Sequence, residues 1–285
     1  MRKIFSCVLC LFLTHPLCFG QADKTGTIVG SVDGIPFKVV RGFLIVFQGR
    51  IGSHSGLNFV LDTGTTHSTV NRKLAQTMRL PLRSAEVFAF DRSVPIESGV
   101  FPDVQFGPIH VTDVSMLVAD LAHVWDFLDG VDAIIGSDLL SLSNFSIDYD
   151  EQKLFFSTVQ NGPPSVKPHP VAMILELRVQ DCPVNLLVDT GIEGIVLFED
   201  RLRSRIPQLQ TEGNMDGILI GQSHAKQAIL PRVRLGARTV DLRVLLLKGP
   251  HGDALPGLDG YWGTTSFKAH RIDFNFATNK LSWQQ

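Results

Sequence analysis

Cysteine is scarce in this chain and unevenly placed: of four, Cys7, Cys10 and Cys18 fall within the first eighteen residues. If those three leave with a leader segment, Cys182 stands alone, an internal disulfide is excluded, and the fold must hold by core burial. No long run of one charge sign occurs either. A net charge of -2, from 26 Lys and Arg against 28 Asp and Glu, points to neither nucleic acid nor an acidic membrane surface as a partner. HExxH, metal-spaced Cys/His pairs, Gly-x-Ser-x-Gly and a phosphate-cradling glycine loop are all missing. The sequence therefore offers no metal site, no serine nucleophile on a strand-to-helix elbow and no nucleotide cradle, and no cofactor is expected. His67 reads as a solvated loop residue, and Asp129, Asp132 and Asp138 as acidic turn residues.

The chain also lacks an apolar run long enough to span a bilayer comfortably. What stands at its start is shorter: Arg2 and Lys3, then residues 4–13 with Ser6 as the one polar interruption. Small residues at Cys18 and Gly20 suit cleavage after Gly20. A lipid anchor at Cys18 fits less well, because His15, Pro16 and Leu17 make a poor lead-in. The expectation is a signal peptide over 1–20 and a secreted or periplasmic protein with no stable membrane insertion once it is removed.

What remains has 44% hydrophobic and 19% charged residues, an ordinary globular composition. Its organisation is repetitive. LNFVLDTG (57–64) recurs as VNLLVDTG (184–191), and VDAIIGSDLL (131–140) recurs as LDGYWGTTSF (258–267), each 127 positions later. VQFGPIHVTDV (104–114) resembles VRLGARTVDLR (233–243), and NFSIDYDEQKLFF (144–156) resembles RIDFNFATNKLSW (271–283). Four matched segments in one order predict a duplicated unit. NGPPSVKPHP (161–170), with four prolines, forbids helix and separates the copies. The predicted organisation is one lobe over 27–160, a connector at 161–167 and a second lobe over 168–285.

Both lobes read as all-β. FLIVF (43–47) and LNFVLD (57–62) flank a Gly/Ser-rich turn at 49–56, and MILELRV (173–179) and VNLLVD (184–189) flank the turn Gln180-Asp181-Cys182-Pro183. Short helices are predicted at 71–78 and 198–205. Two hairpins are also predicted. VFAFDRSVPIESGVF (87–101), built around a polar, Pro-containing turn, is the candidate flap over a cleft, and GILIGQSHAKQAIL (217–230) is its counterpart. Cys182 reads as a small turn residue rather than a nucleophile, and Trp125 and Phe127 as core aromatics.

The chemistry sits at the ends of the matched strands. VLD and LVD each carry a carboxylate to the edge of an apolar interior, where ionisation is disfavoured. A glycine two residues on, Gly64 or Gly191, allows a sharp turn and close approach to another segment. VLDTGTT and LVDTGIE, with the later apolar-apolar-Gly elements Ile134-Ile135-Gly136 and Tyr261-Trp262-Gly263, resemble the aspartic proteases of the pepsin and retropepsin type. The resemblance implies a bilobal acid-protease fold of two β-barrel-like lobes with short helices. It implies that Asp62 and Asp189 form a catalytic dyad, that Thr63 and Thr190 hydrogen-bond across a pseudo-twofold axis, and that Gly64 and Gly191 permit the loops to meet. Peptide bonds would be hydrolysed by a water activated between the carboxylates, with a polypeptide as substrate and neither metal nor covalent intermediate.

Two departures stand out. Thr65 after the first triplet could hydrogen-bond an outer oxygen of Asp62, whereas Ile192 after the second cannot reach Asp189 in this way, which makes Asp62 the expected ionised member. Tyr261-Trp262 is bulkier than the usual aliphatic pair. A monomeric endopeptidase is the expectation, because both half-sites lie in one chain. The alternatives are a catalytically silent peptide-binding module and a protease assembled from two chains; two like charges that repel argue against the silent cleft.

Overall fold

Alternation of buried and more exposed side chains marks strands with one face on a core, and this chain supplies many. In the computed structural model the described residues are 11–12, 33–89, 92–121, 130–157, 172–179, 181–207, 209–215, 225–235, 238–247 and 257–285. The first part holds β1 (Ile35–Val40), β2 (Leu44–Ile51), β3 (His54–Leu61), β4 (Thr69–Asn71), α1 (Arg72–Thr77), β5 (Leu82–Ala89), β6 (Arg92–Phe106) and β7 (Ile109–Ala119). It continues with β8 (Ala133–Ile135), α2 (Ser137–Leu140), β9 (Phe145–Asp148) and β10 (Lys153–Phe156). The second part holds β11 (Ile174–Val179), β12 (Cys182–Asp189), β13 (Ile195–Phe198), α3 (Glu199–Leu202), β14 (Gln210–Met215), β15 (Ala225–Leu235) and β16 (Arg238–Leu247). It closes with β17 (Gly260–Gly263), a 3-10 turn (Thr264–Phe267), β18 (Arg271–Asn275) and β19 (Lys280–Gln284). The fold is all-β with a few short helices, as expected.

Strands β9, β10 and β18 alternate strictly, with Phe145, Ile147, Leu154, Phe156, Ile272 and Phe274 inside. By contrast β8, β13 and β17, and the last residues of β3 and β12, are buried throughout. These are the strands with parallel partners: β3 beside β8, and β12 beside β17. Parallel pairs covered on both faces need continuous apolar runs. The two carboxylates end such runs, so each emerges inside the protein rather than on a solvated face.

One sheet runs β5–β6–β7–β4–β8–β3–β2–β1–β10–β9–β18–β19, with Leu11–Phe12 bridging to β5 at its outer edge, and an added β2–β6 pairing bends it into a ring. The other runs β11–β12–β17–β13–β16–β15–β14 and is closed by β11–β15. The strand order around the two rings is the same. A joint between them comes from β9 and β18, which pair antiparallel with Phe145 opposite Phe274 and Ile147 opposite Ile272. Phe145 and Phe274 stack there at 4.7 Å between centroids.

Several turns differ from expectation. The 49–56 turn shrinks to Gly52-Ser53, with Ile51 opposite His54 and Gly52 at φ 56, so Gly49 and Gly56 lie within strands. Gly49 is a strand residue because the Phe59 ring occupies the space a Cβ would need. Cys182 is the half-buried first residue of β12, paired with Val179, and not a turn residue. Pro95 does not make the hairpin turn; it sits in β6 opposite Glu86, and the pairing runs on to Ala89 opposite Arg92. A proline fits there because pairing on the β7 side starts only at Glu97, leaving an open edge at Pro95. The second hairpin pairs β15, whose first residues fall within the expected 217–230, with β14 at Gln210–Met215, which lies upstream of it. Both helices lie where predicted, with Asn71 capping α1 by accepting from Lys73 N–H. Residues 1–10 and 13–20 of the expected signal peptide, the expected connector at 161–167, residues 217–224, and Trp125, Phe127 and Asp129 lie outside the described residues. No described helix is long and apolar enough to cross a membrane.

Candidate active site

The ends of β3 and β12 face each other across the two rings. Thr63 N–H donates to Thr190 Oγ1 at 3.0 Å, and Thr190 N–H donates to Thr63 Oγ1 at 3.1 Å. Each hydroxyl passes its own proton to the strand opposite, Thr63 to the Val188 carbonyl and Thr190 to the Leu61 carbonyl, both at 2.8 Å. Four hydrogen bonds between groups screened from water hold the loops in one register. Gly64 and Gly191 cannot carry a side chain here: a Cβ on Gly64 would overlap the Asp189 carboxylate, and one on Gly191 would sit 2.8 Å from that of Asp62.

Asp62 and Asp189 are thereby brought together in the interior, 2% and 0% exposed, with a hydrogen bond between their side chains. Gly64 N–H (2.9 Å) and Thr65 N–H (3.2 Å) donate to Asp62 Oδ1, and Gly191 N–H donates to Asp189 Oδ1 at 2.6 Å. Burial pushes Asp62 up to about 7, against the pull of the Gly64 amide, the Asp189 hydrogen bond and the Thr65 amide. Burial pushes Asp189 well above the carboxylate range too, and the neighbouring Asp62 charge pushes it further. The pair therefore keeps a shared proton to higher pH than an ordinary carboxylate does. The arrangement is one base and one acid within reach of the same small molecule.

Thr65 departs from expectation. Its hydroxyl donates to the His67 carbonyl at 3.2 Å, and it is the Thr65 backbone N–H that reaches Asp62. Ile192, its counterpart, is fully buried. Tyr261 and Trp262 fit despite their bulk, 0% and 1% exposed, with Tyr261 edge-on to Phe198 at 5.5 Å and Trp262 against Phe267 at 5.3 Å. His67 is half-buried, its Nδ1 2.9 Å from Thr66 Oγ1.

The supports behind the loops were not apparent from sequence. Ser68 Oγ accepts from Gly136 N–H (2.9 Å) and donates to Asp138 (2.7 Å), which also accepts from Ser68 N–H, so Asp138 is part of a clasp and not a bare turn residue. Asp132 accepts from Asn58 N–H, while the Asn58 amide donates to the Gly130 carbonyl. Asp259, Asn185 and Gly257 repeat those contacts 127 residues later. Identical residues at a constant offset were the signal available for Asp132 and Asp259. Among the described residues no group of three His, Cys, Asp or Glu is arranged to hold a metal ion.

Residues 47–139, which contain Asp62 and end before the second triplet, match the family model described as aspartyl protease. No curated protein matches the chain. Among solved structures it is similar to a retropepsin-like aspartic protease from Rickettsia conorii, at 14% identity and a TM-score of 0.31, over 48% of this chain and 95% of that one.

Proposed function

We propose that this chain is an aspartic endopeptidase, exported through its leader and built from two copies of one unit, 27–160 and 168–285, joined by the connector at 161–167. Asp62 and Asp189 form the dyad. The observation that carries this reading is the pair of buried carboxylates in hydrogen-bond contact, one from each repeat, each accepting a backbone N–H from its own glycine. A merely structural turn has no use for two like charges so costly to bury together.

Two interacting carboxylates share one proton and titrate as a pair, a pattern for which aspartic proteases are the standard example. Ionised Asp62 takes a proton from a water between the two groups while the water oxygen attacks the scissile carbonyl carbon. Protonated Asp189 gives its proton to the carbonyl oxygen, which yields a tetrahedral diol. Collapse breaks the C–N bond as the proton held by Asp62 passes to the departing nitrogen and one diol hydroxyl returns its proton to Asp189, which leaves a carboxylic acid, a free amine and the dyad in its starting state. Thr63, Gly64, Thr65, Thr190 and Gly191 keep the geometry that this exchange requires. The test is turnover of a mixed peptide library by the mature protein. Asp62→Asn and Asp189→Asn should each abolish cleavage while the circular dichroism of the fold persists; full activity in either variant refutes the dyad.

A further inference from the structure

The two loops carry matching carboxylates, yet they are held from behind in different ways. Behind Asp62, the Ser68–Asp138 clasp lies wholly within the same ring of strands and fixes Gly136, the residue after the strand paired with β3. Behind Asp189, Ile195 and Thr265 stand 127 residues on from Ser68 and Asp138, and no such clasp can form. There Gly263 is the register partner of Asp189 and donates its N–H to the Gly194 carbonyl at 2.7 Å. The next residue, Thr264, is 1% exposed, and its Oγ1 accepts a hydrogen bond at 3.0 Å from the phenol of Tyr149, which comes from the other lobe.

Tyr149 is well placed to act as a fixed arm. Its N–H donates to the His270 carbonyl at 2.8 Å, and its ring packs edge-on against Phe37 at 6.1 Å. Burial pushes its phenol up to about 12, so it stays a donor across the working range of pH. The reciprocal contact is chemically impossible, because the residue 127 positions after Tyr149 is Phe276.

We infer that Tyr149 is a positioning residue that holds the Asp189 loop from the opposite lobe through Thr264, doing for Asp189 what Ser68 and Asp138 do for Asp62. The inference rests on the enzymatic reading for its role in turnover, but not for its structural content. Beyond the threonine bonds that both loops share, the Asp189 loop thus has a support that depends on how the lobes meet, whereas the clasp behind Asp62 lies within its own ring.

The test compares Tyr149→Phe, Thr264→Ala and Thr264→Ser with the unaltered protein by amide hydrogen exchange at both loops. Losing one buried hydrogen bond should speed exchange at residues 191–194 about tenfold in Tyr149→Phe and Thr264→Ala. Residues 64–67 should be unaffected, and Thr264→Ser, which keeps the hydroxyl, should stay at the original rate. In peptide turnover, the first two variants should lose kcat about tenfold with KM unchanged. Equal acceleration at both loops, or none at either, overturns the inference. Protein that cleaves no peptide but shows loop-specific exchange overturns the enzymatic reading while upholding the Tyr149 contact, so the two failures are distinguishable.

Discussion

At the scale of single residues, the two aspartates set a pH dependence of stability opposite to that of most carboxylates. Their folded values lie above the ordinary range, chiefly because burial disfavours the charge. A raised carboxylate binds a proton more tightly in the folded state, so its contribution is fully present below about 3.8 and is lost as pH rises, through about 7 for Asp62. Asp62→Asn should therefore gain on the order of 4 kcal/mol over the unaltered protein at pH 8, and nothing at pH 3. Urea titrations at both pH values read this directly, and an equal offset at both would contradict it. On the proposed mechanism, the same shift should put the acid limb of kcat/KM near neutrality, which a pH profile of peptide turnover reads.

At the scale of elements, one hairpin strand in each ring is tied to the helix that follows the loop strand, with the charges exchanged. Arg72, first in α1, pairs with Glu97 on β6; Glu199, first in α3, pairs with Lys226 on β15 at 2.9 Å. Glu97 and Lys226 hold the same place in their rings, opposite Val118 and Leu246. Burial opposes the Glu199 charge, but Lys226 and Arg203 outweigh it and hold the carboxyl below its usual range. These pairs are partly solvated, so Glu97→Gln or Lys226→Gln should cost below about 1 kcal/mol in thermal unfolding. A larger loss would mean these ties carry more of the fold than their exposure indicates. Elements of this kind were legible in part. VLD and LVD gave themselves away because a strand buried on both faces must be apolar throughout. The hairpin turns were misjudged because Gly49 serves packing against Phe59 and Pro95 occupies an open edge, roles that composition alone does not separate from turning. The Ser68–Asp138 clasp escaped because its members are 70 residues apart and the second repeat lacks both.

At the scale of the whole molecule, the correspondence between the rings was readable from the 127-residue offset, but the joint was not. Strands β9 and β18 matched as copies, yet nothing in their sequences said that they would pair with each other. The antiparallel register, Phe145 with Phe274 and Ile147 with Ile272, maps onto itself when the copies are exchanged, as a twofold arrangement requires. Because both carboxylates and the joint come from one chain, light scattering of the purified protein should give the monomer mass, with full peptide turnover at that mass. Activity confined to a dimeric fraction would show that the half-sites pair between chains.

That joint also fixes an order of events during synthesis. The outer edge of β9 has its neighbour on one side as soon as β10 emerges, but its other neighbour, β18, follows more than a hundred residues later. At about 5–20 residues per second, translation leaves this strand edge unsatisfied for on the order of ten seconds. Open strand edges recruit foreign chains, so the nascent polypeptide passes through a period of aggregation risk that the finished protein does not share.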